Sequence, residues 1–296
     1  MGGQEMAEPE FRSVTVAGGQ LRFACWGDGP RVVLGLHGIT GSSMQLAPIA
    51  LRLNSEFTLV APDLRGRGGS AGLPGPFGML AHAMDCAAVI EAVGGAPVVV
   101  LGESMGAFVA VVLAAQRPDL VSRLVLADGG IPIPLPEGTE AGEILETVIG
   151  PAITRLGQVF ESRPAYLDFW RAHPAVSEEW NDFVEMYLNY DLEPVEGGFR
   201  SKVSEGAVRG DGEETLAHPE LIASSLRSLT CPIALIRAPR NLVNQPAPLL
   251  PDHVVADARS HLPQLTEQMV ADTNHYTLMF GDRGAKILAD HVIAGA

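Results

Sequence analysis

The sequence predicts an α/β fold in which helices cover both faces of a doubly wound, mostly parallel sheet. Short apolar runs typical of buried strands alternate along the chain with longer segments of helical periodicity, which is the pattern of such sheets. Residues able to do chemistry directly follow several of these runs, at the carboxyl ends of strands, where ligands of such sheets bind. The chain has 296 residues, 47% of them hydrophobic, which is enough to bury one large domain core.

The first half of the chain supplies most of the predicted sheet. Residues 13–16 and 21–26 flank a glycine turn, which predicts an opening antiparallel hairpin. The buried strands predicted next cover residues 32–36, 57–61, 97–101 and 123–127. The helices predicted between them cover residues 44–53, 79–93 and 105–116. Towards the end of the chain, the pattern predicts two further strands at 232–236 and 265–270, and a closing helix at 284–293.

Residues 131–226 differ from the rest and are predicted to form a helical cap, or lid, on a core domain made of residues 1–130 and 227–296. The segment opens with a proline-rich run at 131–136 that continues neither a helix nor a central strand. It holds eighteen acidic residues against six basic ones, and nine of the seventeen aromatic residues of the chain. We expect an acidic outer face and an aromatic inner face, with most of the aromatic side chains fixing the lid to the core.

Composition restricts the partners and the location. A net charge of −15 argues against nucleic acid or an anionic membrane as a partner and favours a neutral or apolar small substrate. The chain lacks an apolar run long enough to span a membrane, a secretory signal and a C-x-x-C pair, so we expect a cytoplasmic protein with free thiols. We expect no cofactor and no metal, and leave open whether the protein forms a homodimer.

A G-x-S-x-G motif identifies Ser104 as a candidate nucleophile. The motif follows the apolar run at 97–101 and leads directly into a helical pattern, which predicts a sharp turn from strand to helix that exposes the serine hydroxyl. Gly102 and Gly106 meet the need for small residues on either side of such a turn. The backbone N–H of Met105, directly after the nucleophile, is expected to donate to an oxyanion.

Activation of a serine requires a base, and His275 is the candidate because it follows the last predicted strand. The combination of His37-Gly38, the loop from Asp63 to Ser70, the G-x-S-x-G turn and Asn274-His275 resembles the α/β-hydrolase superfamily over most of the chain outside the middle third. The resemblance implies a Ser104 nucleophile with His275 as base, acyl transfer chemistry, and a lid that closes the acyl pocket. It also implies that the backbone N–H of Ile39 is the second oxyanion donor.

The acid that orients His275 is harder to assign. Most members of the superfamily place it after the next-to-last strand, where this chain has Asn241 and Asn244 instead of a carboxylate, and Asp252 lies well beyond that point. Asp128 directly follows the predicted strand at 123–127, and some relatives resemble this chain in placing the acid there. We therefore predict a triad of Ser104, His275 and Asp128, with an acid in the 241–252 loop as the alternative.

Three functions are compatible with these residues. The first is hydrolysis of a hydrophobic carboxylic ester or lactone through an acyl-enzyme. The second is hydrolysis of a C–C bond, or another non-ester reaction, with the same triad. The third is a relative without catalytic activity that binds a ligand. The aromatic lid favours a bulky or aromatic substrate within the first class.

Overall fold

The computed structural model of the protein describes residues 8–132, 138 and 141–295. Most of the proline-rich run predicted to open the lid, and the first seven residues, lie outside the described part. The strands in chain order are β1 (Glu10–Val16), β2 (Gly19–Trp26), β3 (Arg31–Leu36), β4 (Phe57–Pro62), β5 (Val98–Glu103), β6 (Val121–Ala127), β7 (Leu192–Val195), β8 (Gly198–Ser201), β9 (Ile233–Arg237) and β10 (Leu265–Met269).

Eight of these strands form one sheet in the order β1-β2-β4-β3-β5-β6-β9-β10. The first two strands form the predicted antiparallel hairpin, and β2 is also antiparallel to β4. All remaining neighbours are parallel. This confirms the predicted α/β fold with its mostly parallel sheet, and it brings the carboxyl ends of β3, β5, β6 and β9 to one edge of the domain.

Helices connect the strands and cover both faces of the sheet. They are α1 (Ala47–Ala50), α2 (Met79–Val93), α3 (Met105–Gln116), α4 (Ala141–Leu156), α5 (Arg163–Arg171), α6 (Asp182–Asp191), α7 (Glu205–Ala217), α8 (Pro219–Ser228), α9 (Asp252–His261), α10 (Thr277–Phe280) and α11 (Asp282–Ile293). The helix predicted at 44–53 is shorter and begins as a 3-10 turn at Ser43–Leu46. Pro48 has no N–H to bond the carbonyl of Met44, so the chain closes that turn with a tighter bond from Ala47.

The central strands are buried on both faces, which explains their continuous apolar runs. Successive side chains of a strand point to opposite faces. Val98 and Val100 of β5 therefore belong to the hydrophobic cluster shared with α2, α3 and α8. Val99 and Leu101 belong to the cluster on the other face, shared with α1, α10 and α11. The two clusters hold β5 rigidly below the turn that follows it.

The segment between β6 and β9 contains α4 to α8 and a separate hairpin of β7 and β8. Its last helix, α8, packs on α3, and Ile222 and Leu226 are part of the cluster on that face of the sheet. The predicted division into core and lid at residue 226 stays a prediction. No helix in the described part of the chain has the length and apolar content required to cross a membrane.

A buried ion pair connects the segment above the sheet to the core. Arg67, in the loop after β4, pairs with Asp211 of α7, and both side chains are inaccessible to solvent. Asp211 also accepts a hydrogen bond of 2.6 Å from the backbone N–H of Gly78 and pairs with His82 Nε2 at 2.9 Å. The carboxylate of Asp211 therefore compensates the charge of Arg67 in a region that water does not reach.

Replacement of Asp211 by alanine should destabilise the fold strongly. The change leaves the guanidinium of Arg67 buried without its carboxylate, and we expect the free energy of unfolding to fall by about 3–5 kcal/mol. Chemical denaturation followed by circular dichroism measures this change. The matched control is Asp290→Ala, which removes an ion pair with Lys286 whose side chains are more than half exposed and should alter stability little. Equal effects of the two substitutions would contradict the structural role of Asp211.

Candidate active site

Ser104 occupies the turn between β5 and α3, as the G-x-S-x-G motif predicts. Its backbone has φ 51° and ψ −118°, a strained conformation that non-glycine residues rarely adopt and that clusters at functional sites. A Cβ atom at Gly102 would overlap the carbonyl of Gly106, and one at Gly106 would overlap the carbonyl of Leu36. The two glycines therefore allow the close crossing of β5, α3 and β3 that exposes Ser104.

His275 and Asp128 are in contact, although they are far apart in the sequence. Asp128 follows β6 and has a positive φ of 50°, and its side chain is fully buried. The Nδ1–H of His275 donates a hydrogen bond of 2.7 Å to Asp128 Oδ2. The other carboxylate oxygen, Oδ1, accepts a longer bond of 3.4 Å from the backbone N–H of Ala238. This is the arrangement in which a buried aspartate fixes the orientation and tautomer of a catalytic imidazole.

Glu103 is a part of the site that the sequence analysis did not identify. Its Oε1 lies 3.0 Å from His275 Nε2, and both side chains are almost completely buried. Gln45 Nε2 donates to Glu103 Oε2 at 3.1 Å, while Gln45 Oε1 accepts from the backbone N–H of Gly38. A charged residue at the end of an apolar strand was the available signal, because a buried carboxylate requires partners.

The two carboxylates change the protonation of His275. Burial acts against the charged imidazole, but the charge of Glu103 and the hydrogen bond with Asp128 outweigh it and raise the pKa of His275 to about 10. The raised pKa favours the protonated form of His275 at neutral pH. The Nε2 atom must face the serine in a triad, but here it is paired with the carboxylate of Glu103.

The residues predicted to form the oxyanion hole line the cavity next to Ser104. Met105 is the first residue of α3, so its N–H has no partner within the helix. Ile39 lies in the loop after β3 and lines the same cavity. Arg67 fixes both residues, because its Nε donates to the carbonyl of Ile39 at 3.0 Å and its Nη2 lies 3.7 Å from Met105 Sδ. Their role as oxyanion donors stays a prediction.

The alternative candidates for the acid do not contact His275. Asp252 lies at the start of α9, where it pairs with Arg237, and 83% of its side chain is exposed. Asn241 accepts hydrogen bonds from backbone amides of its own loop. Asn244 accepts a hydrogen bond of 3.1 Å from the side chain of Asn274. Asp128 is thus the aspartate that the structure brings to His275.

The other residues that carry the family resemblance have structural roles. His37 donates from Nδ1 to the carbonyl of Gly38 and accepts from the backbone N–H of Leu64 at Nε2, and burial lowers its pKa to about 3. Asp63 accepts from two backbone amides, and Arg65 pairs with Asp85. These contacts fix the loops around the site and leave neither His37 nor Asp63 available for acid–base chemistry.

A cavity of about 370 Å³ opens on one side of Ser104 and is mostly apolar. We call it the large chamber. Its aliphatic walls come from α4, α7 and the loop before α9, and they include Ile144, Leu145, Ile149, Leu216, Leu249 and Leu250. No arginine or lysine is among the described residues that line it. Among the described residues that line the large chamber, Phe108 of α3 is the one aromatic side chain, so the expected aromatic inner face of the lid is not found in this lining.

A second cavity of about 100 Å³, the small chamber, also opens next to Ser104. Ser104, Ile39, Ile149 and Leu249 line both chambers. The remaining walls of the small chamber are more polar and include Gln45, Glu103, Tyr187, His275 and Tyr276. His275 therefore faces the small chamber, whereas the large chamber lies on the side of Met105 and Phe108.

The site contains the elements of acyl transfer and no cluster for a metal. Among the described residues, no group of three or more histidine, cysteine or carboxylate side chains is arranged to bind a metal ion. The three cysteines are free thiols, as predicted. A strained serine, a buried histidine–aspartate pair and a helix that begins directly after the serine are together typical of nucleophilic catalysis.

Comparisons with known proteins bear on the fold of the chain. Residues 31–149 match the family model described as alpha/beta hydrolase fold. The chain is 28% identical over 250 residues to 2-(acetamidomethylene)succinate hydrolase of Mesorhizobium japonicum, which covers 84% of this chain and 83% of that protein. It is 36% identical over 121 residues to Lipase LipV of Mycobacterium tuberculosis, covering 41% of this chain and 44% of LipV.

Solved structures show the same fold over nearly the whole chain. The crystal structure of E-2-(acetamidomethylene)succinate hydrolase has a TM-score of 0.78 at 24% identity, covering 97% of this chain and 98% of that one. A hypothetical protein from Pseudomonas aeruginosa has a TM-score of 0.70 at 26% identity, covering 96% and 98%. Sequence pattern, family model and solved structures agree that the chain has the α/β-hydrolase fold.

Proposed function

We propose that the protein is a serine hydrolase that cleaves an uncharged carboxylic ester or lactone with an apolar acyl group, through an acyl-enzyme on Ser104. The observation that carries the proposal is the 2.7 Å hydrogen bond between His275 Nδ1 and Asp128 Oδ2 next to the strained Ser104. A buried carboxylate in this position stabilises the imidazolium that forms when histidine accepts a proton from serine.

Acylation begins when Nε2 of a neutral His275 accepts the proton of Ser104 Oγ. The oxygen then attacks the substrate carbonyl carbon, and the carbonyl oxygen becomes an oxyanion that the N–H groups of Ile39 and Met105 stabilise. Collapse of this intermediate breaks the bond to the leaving oxygen, which takes the proton from His275 Nε2. The products of this step are the acyl-enzyme and a free alcohol.

Deacylation repeats these steps with water. His275 Nε2 accepts a proton from a water molecule while the water oxygen attacks the acyl carbon. His275 then donates this proton to Ser104 Oγ as the ester bond to the enzyme breaks. The carboxylic acid leaves and the hydroxyl of Ser104 is restored. Asp128 stays ionised throughout and stabilises the imidazolium in both halves of the cycle.

The two chambers support an assignment of the two ends of the substrate. The group that protonates the leaving oxygen is His275, and His275 lines the small chamber. The leaving group therefore belongs in the small chamber and the acyl group in the large one. Because the large chamber is apolar and lacks a described arginine or lysine, it favours an uncharged acyl chain over an acid that carries a second carboxylate.

Hydrolysis of an amide is a second candidate that a specific observation favours. The hydrolase of Mesorhizobium japonicum, which this chain matches over 83% of that protein's length, is named for a substrate with an acetamido group. The same nucleophile, base and oxyanion donors serve both reactions, since only the leaving atom differs. Parallel assays of a methyl ester and the corresponding primary amide, with the same acyl group, distinguish the two candidates by their kcat/KM.

A substitution that fills the large chamber should shorten the preferred acyl chain. Leu216 of α7 lines the chamber, and Leu216→Trp should lower kcat/KM for methyl octanoate by about tenfold or more. Methyl acetate, which does not reach the indole, should be hydrolysed nearly as before. The rates are measured by titration of the acid released.

The matched control is Leu80→Trp on the outer face of α2, where 46% of the residue is exposed. This variant should keep the wild-type preference for chain length. If Leu216→Trp also left that preference unchanged, the acyl group would not occupy the large chamber.

A further inference from the structure

Glu103 is paired with Nε2 of His275, the nitrogen that must accept the proton of Ser104 in catalysis. In the resting site, Glu103 Oε1 lies 3.0 Å from Nε2 of His275, while Nδ1 is bonded to Asp128. Ser104 needs the same Nε2 as its proton acceptor. His275 must therefore leave Glu103 before it can serve Ser104.

Departure of His275 leaves one oxygen of Glu103 without a partner. The other oxygen, Oε2, keeps its hydrogen bond with Gln45. Only 2% of the side chain of Glu103 is exposed, so Oε1 is reached through the small chamber, and a leaving group bound there displaces the water that would replace His275. A buried carboxylate that loses an ionic partner is strongly unfavourable. The active arrangement consequently requires a new donor at Oε1.

Few side chains in the described lining of the small chamber are free to act as this donor. Tyr187 and Tyr276 line the small chamber. The hydroxyl of Tyr187 already donates to the carbonyl of Thr40, whereas burial raises the pKa of Tyr276 to about 12, so Tyr276 keeps the proton that a donor needs. The guanidinium of Arg240 donates to two backbone carbonyls. The guanidinium of Arg155 pairs with the buried carboxylate of Asp191.

The substrate itself can supply the donor, because Glu103 and His275 line the same small chamber. We propose that Glu103 recognises the leaving group: a hydrogen-bond donor on that group takes the place of His275 on Glu103 and frees Nε2 of His275 for Ser104. The substrates are then acyl compounds whose small leaving group carries a hydroxyl or N–H donor. This inference rests on the serine hydrolase function proposed above.

A pair of esters tests the inference without any variant. Propyl hexanoate and 2-hydroxyethyl hexanoate share the acyl group, and their leaving groups differ by a methyl in place of a hydroxyl. A hydrogen bond to a buried carboxylate should raise kcat/KM for the hydroxyethyl ester about tenfold or more over the propyl ester. Equal rates, or a preference for the propyl ester, would overturn the proposal.

The variant Glu103→Gln separates this role from a structural one. Glutamine keeps the size of the side chain and removes its charge, so the preference for the hydroxyethyl ester should fall to a few-fold at most. The pKa of His275 should also fall, because an attractive charge is lost. Since His275 must be neutral to act as a base, the pH of half-maximal kcat/KM should fall with it, and the propyl ester should be cleaved faster at pH 7. An unchanged ester ratio and pH profile would overturn the proposal.

Titration of the His275 imidazole by NMR keeps this test separate from the test of the proposed function. In the wild type, His275 should stay protonated well above neutral pH, and in Glu103→Gln it should lose its proton at lower pH. An active enzyme in which this titration does not depend on Glu103 overturns the inference alone. A wild-type protein that hydrolyses neither ester, although the titration depends on Glu103, overturns the serine hydrolase function and the leaving-group assignment with it.

Discussion

Substitution of Ser104 by alanine is expected to abolish hydrolysis, with a loss of about 10⁵–10⁶ in kcat for the best ester substrate. The change removes the atom that attacks the carbonyl, and the remaining site offers only the oxyanion donors and binding contacts. Circular dichroism should show an intact fold, since the hydroxyl of Ser104 donates none of the hydrogen bonds that stabilise the turn. The measurement is the initial rate of acid release under saturating substrate.

The control for this substitution is Ser42→Ala. Ser42 is a buried serine in the segment after β3, and its hydroxyl has no hydrogen-bond partner in the described part of the structure. Turnover by this variant should stay close to that of the wild type. Retention of most activity by Ser104→Ala would contradict the assignment of the nucleophile and favour a reaction that does not pass through an acyl-enzyme.

Substitution of Asp128 by asparagine is expected to lower kcat by about 10⁴. The amide preserves the shape of the side chain, but it can present N–H to Nδ1 of His275 and favour the wrong tautomer, and it carries no charge to stabilise the imidazolium. The KM should change much less, because Asp128 is fully buried beneath the site. Steady-state kinetics on the same ester provides both values.

Asp252→Asn is the matched control, because Asp252 lies in the loop region that holds the acid in most relatives. Its side chain is exposed and pairs with Arg237, so the variant should retain nearly full turnover. The opposite result, with Asp128→Asn active and Asp252→Asn inactive, would show that the acid comes from the later loop.

The sequence was sufficient for the parts of the molecule that follow from local pattern. The central strands are buried on both faces, so their continuous apolar runs predicted them well, and the G-x-S-x-G turn placed Ser104 at the end of β5. Asp128 was predicted because the later loop has asparagines at the usual position of the acid. The structure brings Asp128 to His275, as the prediction requires.

Features that depend on packing between distant segments were missed. Helix α7 contains three glycines and lacks a clear apolar stripe, so its sequence does not predict a helix. It forms because it packs against α4 and the core through contacts such as the ion pair of Asp211 with Arg67. Glu103 was missed for the same reason, since its partner His275 comes from the opposite end of the chain.

The most direct test of the account is to trap the acyl-enzyme. The wild-type protein is mixed with excess methyl hexanoate, quenched in acid within one turnover and digested, and the peptides are analysed by mass spectrometry. We predict a hexanoyl group on the peptide that contains Ser104, and no acylated peptide in Ser104→Ala. Turnover of the ester without any acylated peptide, or with the acyl group on another residue, would contradict the proposed mechanism.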